Sequence, residues 1–228
     1  MNCKHCLFVT SALTIACVAG AIAVAQQDGK AHTPKADPHA AKPTAQPAGQ
    51  PEMKLPPGWT AEDMQACAVA GMPGENHAFL ASHAGTWVGK ETMWMGAGAE
   101  PMHITCTTEV KPMFENRYTR MTHSGEMPGW GEFHGEATMG YDNLAGNFIC
   151  SWIDNMGTGA MQGTGTLSPD KKTLKWTYNY TCPITKKPAV MRETDTFISD
   201  NEMKMEMWGM DPKQNKEYKM IEINYTRK

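Results

Sequence analysis

A carboxylate, an imidazole and a second carboxylate stand at alternate positions in the segment Glu-Phe-His-Gly-Glu, residues 132–136. On a β-strand, Glu132, His134 and Glu136 would share one face and could act there as general acids and bases. Nothing in the neighbouring sequence marks a nucleophile, and alternating polar residues usually face water. We therefore predict no catalytic residue and keep a hydrolase-type enzyme built on these three side chains as an alternative.

A second pattern lies near the end of the sequence, where Ile221, Ile223, Tyr225 and Arg227 alternate. On a strand they would form an apolar stripe that ends in a phenol and a guanidinium. The planar fork of arginine suits a carboxylate ligand. Tyr225 and Arg227 are therefore candidate ligand-binding residues, and Arg192 is a second candidate cation.

Methionine is unusually frequent, and 17 of the 19 methionines fall within residues 58–228. Met203, Met205 and Met207 alternate, so they share one face of a strand. Soft thioethers favour copper(I), but sulfurs two residues apart on a strand start about 7 Å apart. We therefore favour an apolar pocket lined by these methionines together with Trp152 and Trp176, and copper(I) stays an alternative.

Histidine could bind a metal ion or haem. The first two histidines after residue 57 are six positions apart, which does not match the four-residue spacing of a zinc-binding helix. The other three fall in different strand-like segments and could meet only inside a closed barrel. We favour solvent-facing histidines, predict no metal or cofactor, and keep haem or a metal as an alternative. The five residues are His77, His83, His103, His123 and His134.

The elements that would position these residues follow a period of two from Thr86 onward. Mostly short, turn-forming connections favour antiparallel neighbours, because parallel strands need a crossover of about a dozen residues. A meander this long leaves unpaired edges unless it closes. We therefore predict an all-β, antiparallel up-and-down β-barrel of about ten strands, with a two-sheet sandwich as the alternative. The predicted strands are Thr86–Met95, Met102–Pro112, Asn116–Ser124, Trp130–Tyr141, Asn147–Ile153, Ala160–Leu167, Thr173–Cys182, Val190–Ile198, Glu202–Gly209 and Tyr218–Thr226.

One or two short helices are predicted before the strands. Thr60 is a candidate N-cap with Asp63 at the capping-box position, and Gly71 ends this helix. A second helix fits the sequence ENHAFLASHAG and stops at Gly85.

The first 57 residues have the composition of a leader and a spacer. An uncharged apolar run, Leu7–Ala25, ends in Ala-Val-Ala, which predicts a signal peptide over residues 1–25. An uncleaved anchor and a lipoprotein site at Cys17 are alternatives. Residues 26–57 contain seven prolines, which predicts a disordered Pro/Ala/Gln-rich linker before a domain of residues 58–228. We expect an exported protein, periplasmic or secreted, without a membrane span after cleavage.

Charge and cysteine content narrow the class of this domain. Residues 58–228 carry 16 Lys and Arg against 21 Asp and Glu, a net charge of −5 without a basic stripe, which argues against nucleic acid as a partner.

Four cysteines in an exported chain suggest one or two disulfides, with three connectivities open. The alternative is that they are small buried hydrophobic residues, and nothing sets the oligomeric state. The four are Cys67, Cys106, Cys150 and Cys182.

Several segments together resemble one bacterial family. HAFLASHAGTW, GYDN, WIDNMGTG, GTGTLSPDKKTLKW and YKMIEINYTRK are similar, in this order, to the domain-of-unknown-function family 1579 over roughly residues 75–228. The resemblance implies a secreted or envelope protein with a lipocalin-like, calycin-type barrel, and it carries no catalytic residues. In the related fatty-acid-binding barrels, an arginine and a tyrosine on the final strand hold a ligand carboxylate, and the spacing of Tyr225 and Arg227 is similar.

These patterns predict an exported lipocalin-like barrel that binds a small apolar or amphipathic ligand in its mouth. Barrels of this size commonly enclose such a cavity. Two alternatives remain: an envelope interaction protein with a filled barrel, and the hydrolase-type enzyme described above.

Overall fold

The structure is a computed structural model that describes residues 55–228. The chain divides into two units after Ala68, and the second unit, Val69–Lys228, holds the whole sheet. The predicted signal peptide, residues 1–25, and nearly all of the predicted linker, residues 26–57, lie outside the described residues.

Helix α1, Ala61–Ala70, begins in the first unit. The Asp63 N–H donates to Thr60 Oγ1 at 3.2 Å, and the Thr60 N–H donates to Asp63 Oδ2 at 2.8 Å. This reciprocal cap satisfies two N–H groups that have no partner within the helix. The first predicted helix is confirmed.

Helix α2, Glu75–Ser82, belongs to the second unit. The Gly74 N–H donates to His77 Nδ1 at 2.9 Å, so the start of the helix is held by a side chain of its own first turn. After the helix, Gly85 takes a φ of 131°, which a residue with a Cβ rarely adopts. The predicted second helix is confirmed, but it ends at Ser82 with His83 as its C-cap, and Gly85 is already the first residue of the first strand.

Ten antiparallel strands close into one barrel, in which each strand pairs with its neighbours in sequence. The seam joins the first and last strands, with Trp87 opposite Arg227 and Met93 opposite Ile221. A closed sheet has no free edge, so the predicted barrel is confirmed and the sandwich is excluded. The strands are β1 Gly85–Met93, β2 Met102–Met113, β3 Tyr118–Met127, β4 Gly131–Asp142, β5 Asn147–Asp154, β6 Met161–Leu167, β7 Thr173–Thr181, β8 Pro188–Ser199, β9 Glu202–Asp211 and β10 Lys216–Arg227.

Most predicted strand boundaries differ from the observed ones by one to three residues, and one of these errors falls where the backbone turns. The third strand was predicted to begin at Asn116, whereas β3 begins at Tyr118. Phe114, Glu115 and Asn116 have φ values of 49°, 56° and 67°. This left-handed region suits a turn and not a strand.

Alternate strand residues point into the barrel and form two apolar clusters. The larger cluster contains Phe148, Leu174 and Trp176, and Leu80 of α2 inserts into it. The smaller cluster includes Trp87 beside the seam. Since α2 contacts β2, β3 and β4, the helix covers one end of the barrel.

All four cysteines of residues 55–228 are unpaired. Cys106 on β2 and Cys150 on β5 are three strand spacings apart, about 14 Å along the sheet, whereas the Cα atoms of a disulfide lie within about 7 Å. Both side chains are buried. The structure therefore agrees with buried hydrophobic cysteines at these two positions and not with a disulfide between them.

Among residues 55–228 no helix combines the length and the apolar character that crossing a membrane requires.

Candidate functional site

The eight predicted ligand-binding side chains lie in three places: the lumen of the barrel, its outer face and one of its ends. Arg192 lies outside, where its side chain is 60% exposed and pairs with Glu217. Six of the eight side chains point into the lumen: Trp152, Trp176, Met203, Met205, Met207 and Tyr225.

Arg227 lies at the end of the barrel that α2 covers. Its Nε donates to the Asp200 carbonyl at 2.9 Å and its Nη2 to the Ser82 carbonyl at 3.2 Å. Its Nη1 donates to the Ala84 carbonyl. The guanidinium carbon lies 4.3 Å from the centre of the Trp87 ring. The donors of Arg227 are thus committed to backbone carbonyls around the α2–β1 connection.

Two carboxylic acids, Glu193 and Asp195, occupy successive inward positions of β8. The Trp176 indole Nε1 donates to Asp195 Oδ2 at 3.0 Å. Loss of hydration raises the pKa of Asp195 to about 7. Loss of hydration and then the charge of Asp195 raise the pKa of Glu193 well above its ordinary value. Both residues are only half-buried. Because they point inward, their accessible surface lies in the lumen.

A second polar cluster lies beside the seam and joins Glu91 of β1, Cys106 of β2 and His123 of β3. The three residues are 6%, 1% and 7% exposed. His123 Nε2 lies 3.6 Å from Glu91 Oε2, and one donor atom from each residue lies within 4.8 Å of the other two. Burial, and then the charge of Glu91, raise the pKa of the Cys106 thiol to about 12.

Hydrogen bonds hold the other side of the His123 ring. Its Nδ1 lies 2.9 Å from Thr108 Oγ1 and 3.4 Å from the Tyr225 hydroxyl. The Thr108 hydroxyl donates to the Tyr225 oxygen at 3.3 Å. When Nδ1 donates to Thr108, the Nε2 lone pair faces Glu91. The expectation of solvent-facing strand histidines is wrong for His123, because it falls on the inward face of β3.

The lumen is acidic. On the described strands, two basic residues fall at inward positions, both at the ends of β10: Arg227, whose donors are already committed, and Lys216, which is exposed. Glu91, Glu193 and Asp195 carry no sequence motif and were not predicted. The alternation of residues along β8 could have indicated that Glu193 and Asp195 point inward, because they share a strand face with two large apolar residues, Met191 and Phe197.

Glu132, His134 and Glu136 share the outer face of β4, as their spacing predicts. His134 Nε2 lies 3.3 Å from Glu132 Oε2, and the two side chains are 60% and 78% exposed. Glu136 pairs with Arg120 at 2.5 Å. His134 and Glu136 line an open groove of about 740 Å³ that runs over β1–β5. These groups lie in water, so an enzyme that used them would have to work on an unsheltered surface.

Comparison with known proteins gives a family without an assigned function. The family model described as "Protein of unknown function (DUF1579)" matches residues 72–227. The crystal structure of Rv2717c from M. tuberculosis is similar at 10% identity and a TM-score of 0.53, over 69% of this chain and 99% of that chain. The S-type phycobiliprotein lyase CPES from Guillardia theta is 10% identical with a TM-score of 0.48, over 71% of this chain and 96% of that chain. The first likeness concerns the barrel fold alone, and no curated protein matches the sequence.

Proposed function

The chain belongs to the DUF1579 family, and we propose that this member is a lipocalin-like binding protein whose lumen holds a small amphipathic molecule. The apolar part of the ligand lies against methionine and aromatic side chains, and a cationic or hydrogen-bond-donating group lies at Glu193 and Asp195. The observation that carries this proposal is the acid pair itself, which faces the lumen with no neutralising lysine or arginine among the described residues.

Apolar side chains that point inward but stay partly accessible support a lumen with room for a ligand. Trp152, Met161, Met207 and Met220 pack on the larger cluster and are only half-buried. A filled interior would pack to the density of an organic crystal and would bury such side chains fully. Methionine also adapts its shape to different ligands. These features favour a binding protein over an envelope interaction protein with a filled barrel.

The acid pair sets the chemistry of the polar end. Burial of a carboxylate is costly unless hydrogen bonds or an opposite charge compensate it. Asp195 receives one donor, the Trp176 indole, and a ligand ammonium would supply a charge-assisted partner. The proposed ligand is therefore basic at its polar end, in contrast to the carboxylate that a Tyr225–Arg227 pair would select.

Three probes that differ only in the head group test the proposal: dodecylamine, dodecanol and dodecanoate, each below its micellar concentration. Binding to the purified chain is followed by tryptophan fluorescence and by calorimetry at about pH 8, where Asp195 is ionised. We expect dodecylamine to bind at least about tenfold more tightly than dodecanoate, a difference of about 1.4 kcal/mol. Failure of all three probes to bind overturns the binding proposal, and preference for dodecanoate overturns the basic polar end.

Matched variants locate the binding. Asp195→Asn and Glu193→Gln should each reduce the preference for dodecylamine over dodecanoate, because each removes a carboxyl group that can accept hydrogen bonds from an ammonium in the lumen. Glu202→Gln changes an exposed carboxylate at the start of β9 and should leave the preference unchanged. An equal effect of all three substitutions would assign the preference to net charge and not to the lumen.

We further propose that this binding takes place outside the cytoplasm. The apolar run Leu7–Ala25 and the small residues at its end support export through a cleaved signal peptide. Native mass spectrometry of the protein from its source would give the mass of the mature chain and of any ligand that it carries.

A further inference from the structure

We propose that Glu91, Cys106 and His123 form a binding site for one divalent metal ion of the zinc class. The acid pair of β8 supplies no ligand, so this site does not depend on the proposed amphipathic ligand. The inference starts from donor identity and geometry: sulfur, nitrogen and oxygen atoms converge from three adjacent strands.

The distances fit such an ion with a small adjustment. Zinc bonds of about 2.0–2.3 Å place neighbouring ligand atoms of a tetrahedral site about 3.3–3.8 Å apart. His123 Nε2 and Glu91 Oε2 already lie 3.6 Å apart. The three donor atoms all lie within 4.8 Å of one another, so closure on the ion needs movements of about 1 Å.

Glycines on both neighbouring strands keep space around the sulfur. Cys106 pairs with Gly89 of β1 and with Gly125 of β3. A Cβ on Gly89 would lie 2.4 Å from Cys106 Sγ. Any larger residue at position 89 would therefore displace the sulfur from the cluster.

The hydrogen bonds around His123 match those of a metal ligand. Histidine ligands usually donate from the nitrogen that does not bind the ion, which fixes the ring and its tautomer. Here Nδ1 contacts Thr108 Oγ1 at 2.9 Å, which leaves Nε2 for the ion on the side of Glu91. Thr108 in turn donates to Tyr225.

Donor type and charge select the ion. A thiolate and an imidazole favour zinc and similar borderline ions over magnesium or calcium, which prefer oxygen ligands. The ion replaces the proton of the Cys106 thiol, the sulfur–metal bond forms, and the proton leaves to solvent. The charges of Glu91 and the thiolate then balance the two charges of the ion, and three protein ligands leave one position of a tetrahedral ion open.

Cobalt(II) tests the site because a thiolate ligand gives a sulfur-to-cobalt charge-transfer absorption. The full chain is treated with a chelator, with Cys67→Ser to remove the exposed thiol, and is then titrated with cobalt. We expect one equivalent to bind, to produce this absorption and to be displaced by zinc. Cys106→Ser should abolish the absorption, and Glu91→Gln should weaken cobalt binding about tenfold or more.

Cys150→Ser is the matched control, because Cys150 is another buried, inward-facing thiol that belongs to no such cluster among residues 55–228. It should keep the absorption. Circular dichroism and thermal unfolding check that each variant folds. If Cys106→Ser does not fold, the weaker cobalt binding expected of Glu91→Gln tests the proposal. Cobalt binding without a thiolate absorption, or an absorption that survives Cys106→Ser, overturns the proposal.

Discussion

At the scale of single residues, glycines inside the barrel make room for aromatic rings on the neighbouring strand. Gly165 lies directly opposite Trp176, and Gly163 lies opposite Tyr178. A Cβ on Gly165 would lie 2.7 Å from Trp176 Cε3. These glycines therefore set the position of the indole that donates to Asp195.

Gly165→Ala should lower the free energy of unfolding by about 1–3 kcal/mol, because the added methyl group forces the Trp176 ring out of its packed position. Urea denaturation followed by circular dichroism measures the change. Gly159→Ala is the control, since no atom lies within 4 Å of its ideal Cβ, and it should change stability by less than about 0.5 kcal/mol. Equal effects of the two substitutions would contradict this role for Gly165.

Residue parity groups the candidate residues by strand face. Trp176 and Tyr225 were expected in the lumen and are buried there. Alternation shows which residues share a strand face but not which face is the interior, and large apolar residues usually decide that question. The polar pair Glu193 and Asp195 sits on an inward face, and only the apolar residues on either side of it on that face, Met191 and Phe197, indicated this.

At the scale of elements, both helices and all ten strands could be predicted from capping residues, the period of two and turn chemistry. The position of α2 against the end of the barrel could not be predicted from these local patterns. It depends on Arg227, which reaches the Ala84 carbonyl across 143 positions of sequence. Such a contact exists only once β10 has paired with β1, and no local pattern encodes it.

Arg227→Lys should lower the free energy of unfolding by about 1–3 kcal/mol, because lysine keeps the charge but cannot reach three carbonyls at once. Thermal and urea unfolding measure the loss. Arg192→Lys is the control: that side chain is 60% exposed in its pair with Glu217, and exposed pairs contribute about 0–1 kcal/mol. A larger loss for Arg192→Lys than for Arg227→Lys would contradict the assigned role of Arg227.

At the scale of the whole molecule, acids in the lumen link stability to pH. The pKa of Asp195 is raised to about 7 in the folded protein, above about 3.9 for an exposed aspartate. Between these two values the folded state holds a proton that the unfolded chain has released. The free energy of unfolding therefore falls as pH rises through this range and levels off above about pH 7.

Urea unfolding between about pH 5 and about pH 8 should show this fall, with a slope of at most about 1.4 kcal/mol per pH unit for one proton. Glu193 is shifted in the same direction and adds to the fall where its ionisation differs between the two states. Asp195→Asn should flatten the profile, because asparagine has no proton to lose. Stability that rises with pH over this range, or an unchanged slope in Asp195→Asn, would contradict the acidic lumen.

The pairing of β1 with β10 at the seam leaves the nascent chain with an open sheet edge during synthesis. On the ribosome, β1 emerges first and stays without one of its two partners until residues 216–227 have been synthesised. Contacts so distant in sequence form slowly, and an open sheet edge can recruit strands from other molecules. The danger of aggregation is therefore greatest just before translation of the last strand is complete, when chaperone protection would matter most.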